Sequence, residues 1–170
     1  VGDGCKDPGA KTSPTGRTRP SVKTAFLDES KRKSYMLGAV VVVQADVAQV
    51  RQELNRVKGP YSTIHMNDRN DQERLAYAAA LGALEVEGVV VATKGRNDRV
   101  ARDTLLTHIA DHLLELGVAK LVIESCGQDR EDRQALRRSL GAHSPLEYGH
   151  AGKSELLLGL PDILAWAHGR

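Results

Sequence analysis

The stretch Lys23-Thr-Ala-Phe-Leu-Asp-Glu-Ser30 is a short apolar strand that runs into two carboxylates and a hydroxyl. Side chains of a strand alternate between its faces, so Phe26 and Asp28 share one side while Leu27 and Glu29 share the other. One carboxylate of the pair therefore faces any given site, and Asp28 is the candidate. A strand that merely enters a polar turn would read the same way. Two more acids in matching contexts favour a site: Glu124, which closes the apolar run Ala119-Lys-Leu-Val-Ile-Glu124, and Asp162, inside an otherwise apolar helix.

Working outward, Tyr35 to Val43 is a continuous apolar run rich in valine, the pattern of a strand covered on both faces. The short basic turn Lys31-Arg-Lys33 before it makes the first two strands an antiparallel hairpin. Asp46 to Lys58 carries Val47, Val50, Leu54 and Val57 at helical spacing, with Asp46 as its cap and Gly59-Pro60 as its stop. The pattern then predicts a short strand over Tyr61 to Met66 that carries His65. A helix over Asp68 to Leu84 follows, with Leu75, Ala78, Ala79 and Leu81 marking its packed side. Val86 to Thr93 reads as another buried strand, and Lys94 to Arg99 as a basic loop. Val100 to Leu116 is the strongest helix, with Leu105, Leu106, Ile109, Leu113 and Leu116 on one stripe and Gly117 at its end. Ala119 to Glu124 is a strand, Asp129 to Leu140 a charged helix, Pro145 to Tyr148 a last short strand, and Ser154 to Ala167 a terminal helix. A hairpin followed by strands alternating with helices specifies an α/β fold: a mixed sheet with helices on both faces.

Composition bounds the rest. The 170 residues suit one domain with a sizeable core, which we place at residues 22–170. Residues 1–21, rich in Gly, Pro, Lys, Thr and Ser, are expected to be a flexible polar leader. A formal charge of +2, from 24 Lys and Arg against 22 Asp and Glu, says nothing of a polyanionic partner. Cys5 and Cys126 make neither a disulfide framework nor a zinc pattern and suit a reducing cytosol. The chain lacks both a membrane-spanning apolar run and the apolar centre of a signal peptide, so a cytoplasmic protein with no membrane partner is expected.

In a sheet of this order the first strand and the Ala119 to Glu124 strand can be neighbours, with the terminal helix across their ends. Asp28, Glu124 and Asp162 would then converge. Mutually repelling carboxylates are stable together when a cation sits between them, and Mg²⁺ or Mn²⁺ favours such oxygen ligands. Two such ions can clamp the attacking and leaving oxygens of a phosphodiester, which is nuclease chemistry. The plainer alternative has Glu124 simply ending a strand and Asp162, after Pro161, capping the segment Ile163 to Ala167.

Other motifs are weaker. His108 and His112 share a helix face but lack the glutamate of a zinc-protease helix, so a solvated face is expected. Gly149 to Ser154 resembles a phosphate loop whose first glycine is displaced by Glu147; a helix N-terminus near Lys153 is still a place for an anion. Cys126 has no base beside it and reads as a small packed thiol. Arg130, Arg133, Arg137 and Arg138 alternate with Asp129, Glu131 and Asp132 on what reads as a solvated helix face.

Phe26-Leu-Asp-Glu-Ser30, Tyr35-Met-Leu-Gly-Ala-Val-Val41, Ile64-His65 and the closing Leu160-Pro-Asp-Ile-Leu-Ala-Trp-Ala167 together resemble the prokaryotic family called domain of unknown function 3800. The resemblance covers residues 24 to 168 and implies an RNase H-like fold, the superfamily of ribonuclease H, integrases and Holliday-junction resolvases. It makes Asp28, Glu124 and Asp162 metal ligands for Mg²⁺ or Mn²⁺ and catalytic residues, places His65 beside them as a helper, and makes RNA or DNA the partner. Glu29, Ser30 and Lys31 become candidates for supporting or phosphate-contacting positions. Departures from the family pattern are Lys31 for Gly, Pro161 for Ala and Glu124 for Asp. The expected activity is metal-dependent phosphodiester hydrolysis. The alternatives are a catalytically silent module that binds nucleic acid or assembles with protein, in keeping with 4% aromatic residues and few stacking platforms for bases, or a regulatory partner protein joined through its long helices.

Overall fold

The structure, a computed structural model, describes residues 21–31, 34–94 and 97–169. The expected leader at 1–21 except its last residue, two residues of the first turn, two of the loop after residue 94 and the final residue lie outside the described residues. Among the described residues, five strands form one sheet: β1 (Lys23–Ser30), β2 (Tyr35–Val43), β3 (Glu87–Thr93), β4 (Val118–Glu124) and β5 (Glu147–Ala151). Their order is β3-β2-β1-β4-β5. β1 pairs antiparallel with β2, as its hairpin turn requires, and parallel with β4. β2 pairs antiparallel with β3, and β4 parallel with β5. The stretch that carries Asp28 is thus the central strand, with β4 and its terminal Glu124 alongside.

Five α-helices among the described residues cover the sheet: α1 (Val47–Lys58), α2 (Asp71–Gly82), α3 (Asp98–Glu115), α4 (Asp129–Leu140) and α5 (Gly159–His168). Strand alternation sorts the core into two layers. Ala25, Leu27, Leu37, Ala39 and Val41 pack with the α3 stripe of Leu105, Leu106, Ile109 and Leu113 and with Leu136 of α4. Phe26, Val40 and Val42 pack with Val50 and Leu54 of α1, Tyr77 of α2, and Leu160, Ile163 and Trp166 of α5. The valine run of β2 is buried because helices cover both its faces, as its lack of alternation indicated.

Several boundaries and one strand depart from expectation. Tyr61 to Met66 is not a strand but an irregular segment leading into a 3₁₀ turn at Met66–Asp68. Its polar backbone finds side chains instead of a ladder: the Met66 N–H donates to Asp162 at 2.7 Å, and the Thr63 carbonyl accepts from Arg69 at 2.9 Å. α2 starts at Asp71 because Asn70 and Glu73 form a reciprocal capping box. Tyr77 is its buried residue, while Leu75 is 52% exposed. β3 is a partly exposed edge strand rather than a buried one. The last strand runs over Glu147–Ala151, and a 3₁₀ turn at Leu156–Leu158 precedes α5, which replaces the longer terminal helix.

Two glycines decide how closely α5 sits. Gly38 stands opposite Asp28 in the β1–β2 register, and a Cβ there would come within 3.3 Å of the Pro161 carbonyl oxygen. Gly159 has ordinary helical φ of −66°, so space is what matters: a Cβ would meet Ile64 Cβ at 2.8 Å. These absences let α5 lie on the sheet beside Asp28 and let the segment before His65 lie on α5. Gly159→Ala is expected to cost about 1–3 kcal/mol through overpacking, measured as a lower urea midpoint at unchanged slope. A neutral result would show that Ile64 yields freely.

Candidate functional site

Asp28, on the face of β1 opposite Glu29, opens into a hollow of about 170 Å³ that is also lined by His65, Glu124, Lys153 and Asp162. A second hollow, of about 310 Å³, shares those five residues and extends over Glu29, Ser30, Lys31, Asn67 and Trp166. The structure therefore brings together Asp28, Glu124, Asp162 and His65 from four separate parts of the chain. Parallel pairing of β1 with β4 puts Glu124 at the same sheet edge as Asp28. α5 brings Asp162 across that edge, and Pro161 causes no break because a first-turn residue has no intrahelical N–H bond to lose.

The carboxyl of Asp28 is pushed up from 3.8 to about 8. Burial is the first cause and the charge of Glu124 the second; a bond from the Glu29 N–H at 2.7 Å works the other way, and Asp162 and Glu29 add smaller repulsion. Asp28 thus sits in the field of the other two acids. Asp162 does not cap a helical segment as its plainer reading had it. One of its oxygens, Oδ2, accepts the Met66 N–H at 2.7 Å and lies 3.1 Å from His65 Nδ1. His65 is accordingly tied to Asp162 rather than standing alone at a strand end, with its side chain 40% exposed. Lys153 Nζ lies 3.8 Å from Glu124 Oε1.

Glu29 faces the other layer and anchors a network that the sequence motifs do not name. Its Oε2 accepts from the Tyr35 hydroxyl and, at 2.8 Å, from Arg102 Nη1. Arg102, 2% exposed, makes a two-pronged bond to Asp132 at 2.7 and 2.8 Å, and Asp132 also lies 3.0 Å from His150 Nε2. Asp132 is hence buried rather than part of the solvated face of α4. A signal is nonetheless present: Arg102 shares the i, i+3, i+4, i+7 stripe of Leu105, Leu106 and Ile109, and Asp132 stands in the same relation to Ala135 and Leu136. Lys31 is held at 3.2 Å by both Glu29 and Asp98. Elsewhere, His108 and His112 are exposed as expected, while Cys126 is exposed rather than packed.

Whether the acids suit a divalent ion is a matter of donor type and charge. Oxygen donors predominate in the hollow, and the Asp28 carboxyl is raised first by burial and then by the charge of Glu124, both of which a cation would offset. In donor chemistry Asp28, Glu124 and Asp162 fit Mg²⁺ or Mn²⁺. As the side chains stand, no three His, Cys, Asp or Glu among the described residues form a group that could hold a metal ion.

No family model matches the chain, and no curated protein does. Solved structures do. RNase HII of Archaeoglobus fulgidus, in its complex with PCNA, is 15% identical and superposes with a TM-score of 0.60 over 86% of this chain and 72% of that one. The fold is RNase H-like. A mutant form of Bst-RNase HIII gives 14% identity and a TM-score of 0.56 over 97% of this chain and 58% of that one. Bst-RNase HIII in complex with Mn²⁺ gives 12% and 0.52 over 95% and 57%. This chain thus spans less than three-fifths of the RNase HIII chains it matches. At these identities the likeness is one of fold. The narrower resemblance to domain of unknown function 3800 rests on its motifs alone. No helix among the described residues is long and apolar enough to cross a membrane.

Proposed function

We propose that this chain is a metal-dependent phosphodiesterase that hydrolyses RNA or DNA, and that residues 22–170 form a single RNase H-like domain. The observation that carries the reading is Asp28: half-buried, its carboxyl raised to about 8, and sharing one hollow with Glu124 and Asp162. Such perturbed acids in a cleft are what a site for charge chemistry requires. The structural neighbours carry nuclease names, and one was solved with Mn²⁺.

In this reading Asp28, Glu124 and Asp162 hold Mg²⁺ or Mn²⁺, which when bound supplies Lewis acidity toward a phosphodiester oxygen. His65, whose Nδ1 lies 3.1 Å from Asp162 Oδ2, leaves Nε2 as the atom that would carry a proton to the leaving oxygen. Arg102 and Tyr35 fix Glu29 on the other face, which steadies the end of β1 and with it the Asp28 backbone. The test is cleavage of single-stranded, duplex and hybrid oligonucleotides with added Mg²⁺ or Mn²⁺, alongside calorimetric titration with Mn²⁺. Wild type should bind Mn²⁺ and cut at least one substrate, and Glu124→Gln should do neither. Equal behaviour of the two proteins in both assays would remove the reading.

A catalytically silent module is the second reading. It is favoured by the commitment of Asp162 to the Met66 N–H, a purely structural bond, and by Lys31, Pro161 and Glu124 standing where the resembled family has other residues. It predicts no Mn²⁺ binding that depends on Asp28 or Asp162.

A further inference from the structure

Two lysines border the acidic hollows, and their surroundings differ. Lys31 follows β1; its Nζ lies 3.2 Å from Glu29 and 3.2 Å from Asp98 and 5.5 Å from the centre of the Tyr35 ring. Its charge is balanced by two carboxylates. Lys153 follows β5, two residues beyond the position paired with Glu124 in the sheet. It stands on a turn closed by the Glu155 N–H bonding the Gly152 carbonyl at 3.0 Å. That turn is pinned: Glu155 bonds Arg51 at 2.7 Å and accepts the Leu157 N–H at 3.0 Å.

The lysine side chain itself is held loosely. It is 68% exposed, and its ion pair with Glu124, at 3.8 Å, is long. A pair so exposed contributes little to stability. Yet Lys153 lines both hollows, and in the smaller it faces Asp28, Asp68, Glu124, Glu155 and Asp162 as the one Lys or Arg among the described lining residues. For a polyanion approaching those acids, this loosely paired ammonium group is the lysine or arginine charge on the lining of the smaller hollow. Lysine chemistry suits such a contact, since a point charge on a flexible stem accepts a phosphate in many orientations and without regard to base.

We propose that Lys153, rather than Lys31, is the residue that contacts the substrate's phosphodiester backbone, and that it competes with a divalent cation for Glu124. The proposal rests on the phosphodiesterase reading. It makes Lys153 a substrate-binding residue with opposite effects on two ligands, which a merely structural lysine would not have.

The experiment compares wild type, Lys153→Met, Lys153→Arg and Lys31→Met. Binding of a fluorescently labelled oligonucleotide is followed by anisotropy across a salt series, and Mn²⁺ binding by calorimetry without nucleic acid. Lys153→Met is expected to weaken oligonucleotide binding by roughly three- to tenfold and to lower the salt slope by about one. The same change should tighten Mn²⁺ roughly threefold by removing a competing cation from Glu124. Lys153→Arg should restore oligonucleotide binding, and Lys31→Met should leave it within about twofold of wild type. If wild type binds and cuts while Lys153→Met matches it in both titrations, the lysine assignment is overturned and the phosphodiesterase reading stands. If wild type binds no oligonucleotide, both are overturned.

Discussion

Asp28→Asn is expected to make the metal-free protein more stable at pH 8 and to abolish the proposed hydrolysis of nucleic acid. The carboxyl of Asp28 is raised to about 8 from an ordinary 3.8, so the folded chain holds this proton more tightly than the unfolded chain. Stability is therefore fully present below about pH 4 and falls as pH rises toward 8, by on the order of 1 kcal/mol per unit while the two states differ in protonation. Asparagine keeps an oxygen for the Glu29 N–H and carries no charge to bury. The variant should gain on the order of 4 kcal/mol at pH 8, or roughly 8–16 °C in melting temperature for a chain of this size, and almost nothing at pH 4. Mn²⁺ should narrow the gap. A ligand that binds only the folded state adds about 2.7 kcal/mol at a hundredfold excess over its Kd, and Asp28→Asn should forgo that gain. Cleavage should fall by about a thousandfold or more, since the charge stabilisation at stake is several kcal/mol. Melting curves at pH 4 and 8, with and without Mn²⁺, check each of these effects. A variant less stable than wild type at pH 8 without metal would mean that Asp28 is not held against its charge.

That balance also explains what is readable in the sequence. Alternation along β1 correctly assigns Asp28 and Glu29 to opposite faces, because period two is a rigid property of extended chain. The hairpin, the doubly buried valine run and the α3 stripe are legible for the same reason: each is a local pattern that burial alone explains. The meeting of Asp28 with Glu124 and Asp162 follows from strand order, which sequence suggests but does not fix. The segment Tyr61 to Met66 misleads because its extended, apolar character suits a strand, while the bond from Met66 to the Asp162 side chain depends on α5, almost a hundred residues away. Lys153 is visible in the sequence only as a residue near a helix start. What sets it apart from Lys31 is the difference in their carboxylate neighbours, and Asp98 belongs to a helix whose apolar stripe starts only later.

Arg102→Met is expected to cost about 3–5 kcal/mol, because it removes the partner of a buried charge. Arg102 and Asp132 are each 2% exposed, and Arg102 also answers Glu29 at 2.8 Å. Neighbouring charges hold the guanidinium firmly protonated: Asp132 bonds it, and its burial is offset by those contacts. Without it, Asp132 keeps His150 at 3.0 Å, and Glu29 keeps Tyr35 and Lys31, so both acids lose their strongest partner but are not left bare. A buried ion pair is weak evidence for stability in itself, since desolvating both charges offsets much of their attraction. The pair substitution Arg102→Met with Asp132→Leu should accordingly recover part of the loss, and the coupling in a double-mutant cycle should exceed about 1 kcal/mol. The consequence for the site is mechanical. Glu29 is bonded to the residue that carries the metal-binding candidate, so loosening it should weaken Mn²⁺ binding in the pair substitution even where stability is regained. Urea unfolding and Mn²⁺ calorimetry on all three variants separate these effects. If the stabilised pair binds Mn²⁺ as wild type does, the network serves the fold of the α3–α4 layer only, and the position of Asp28 is set by β2 and β4 without it.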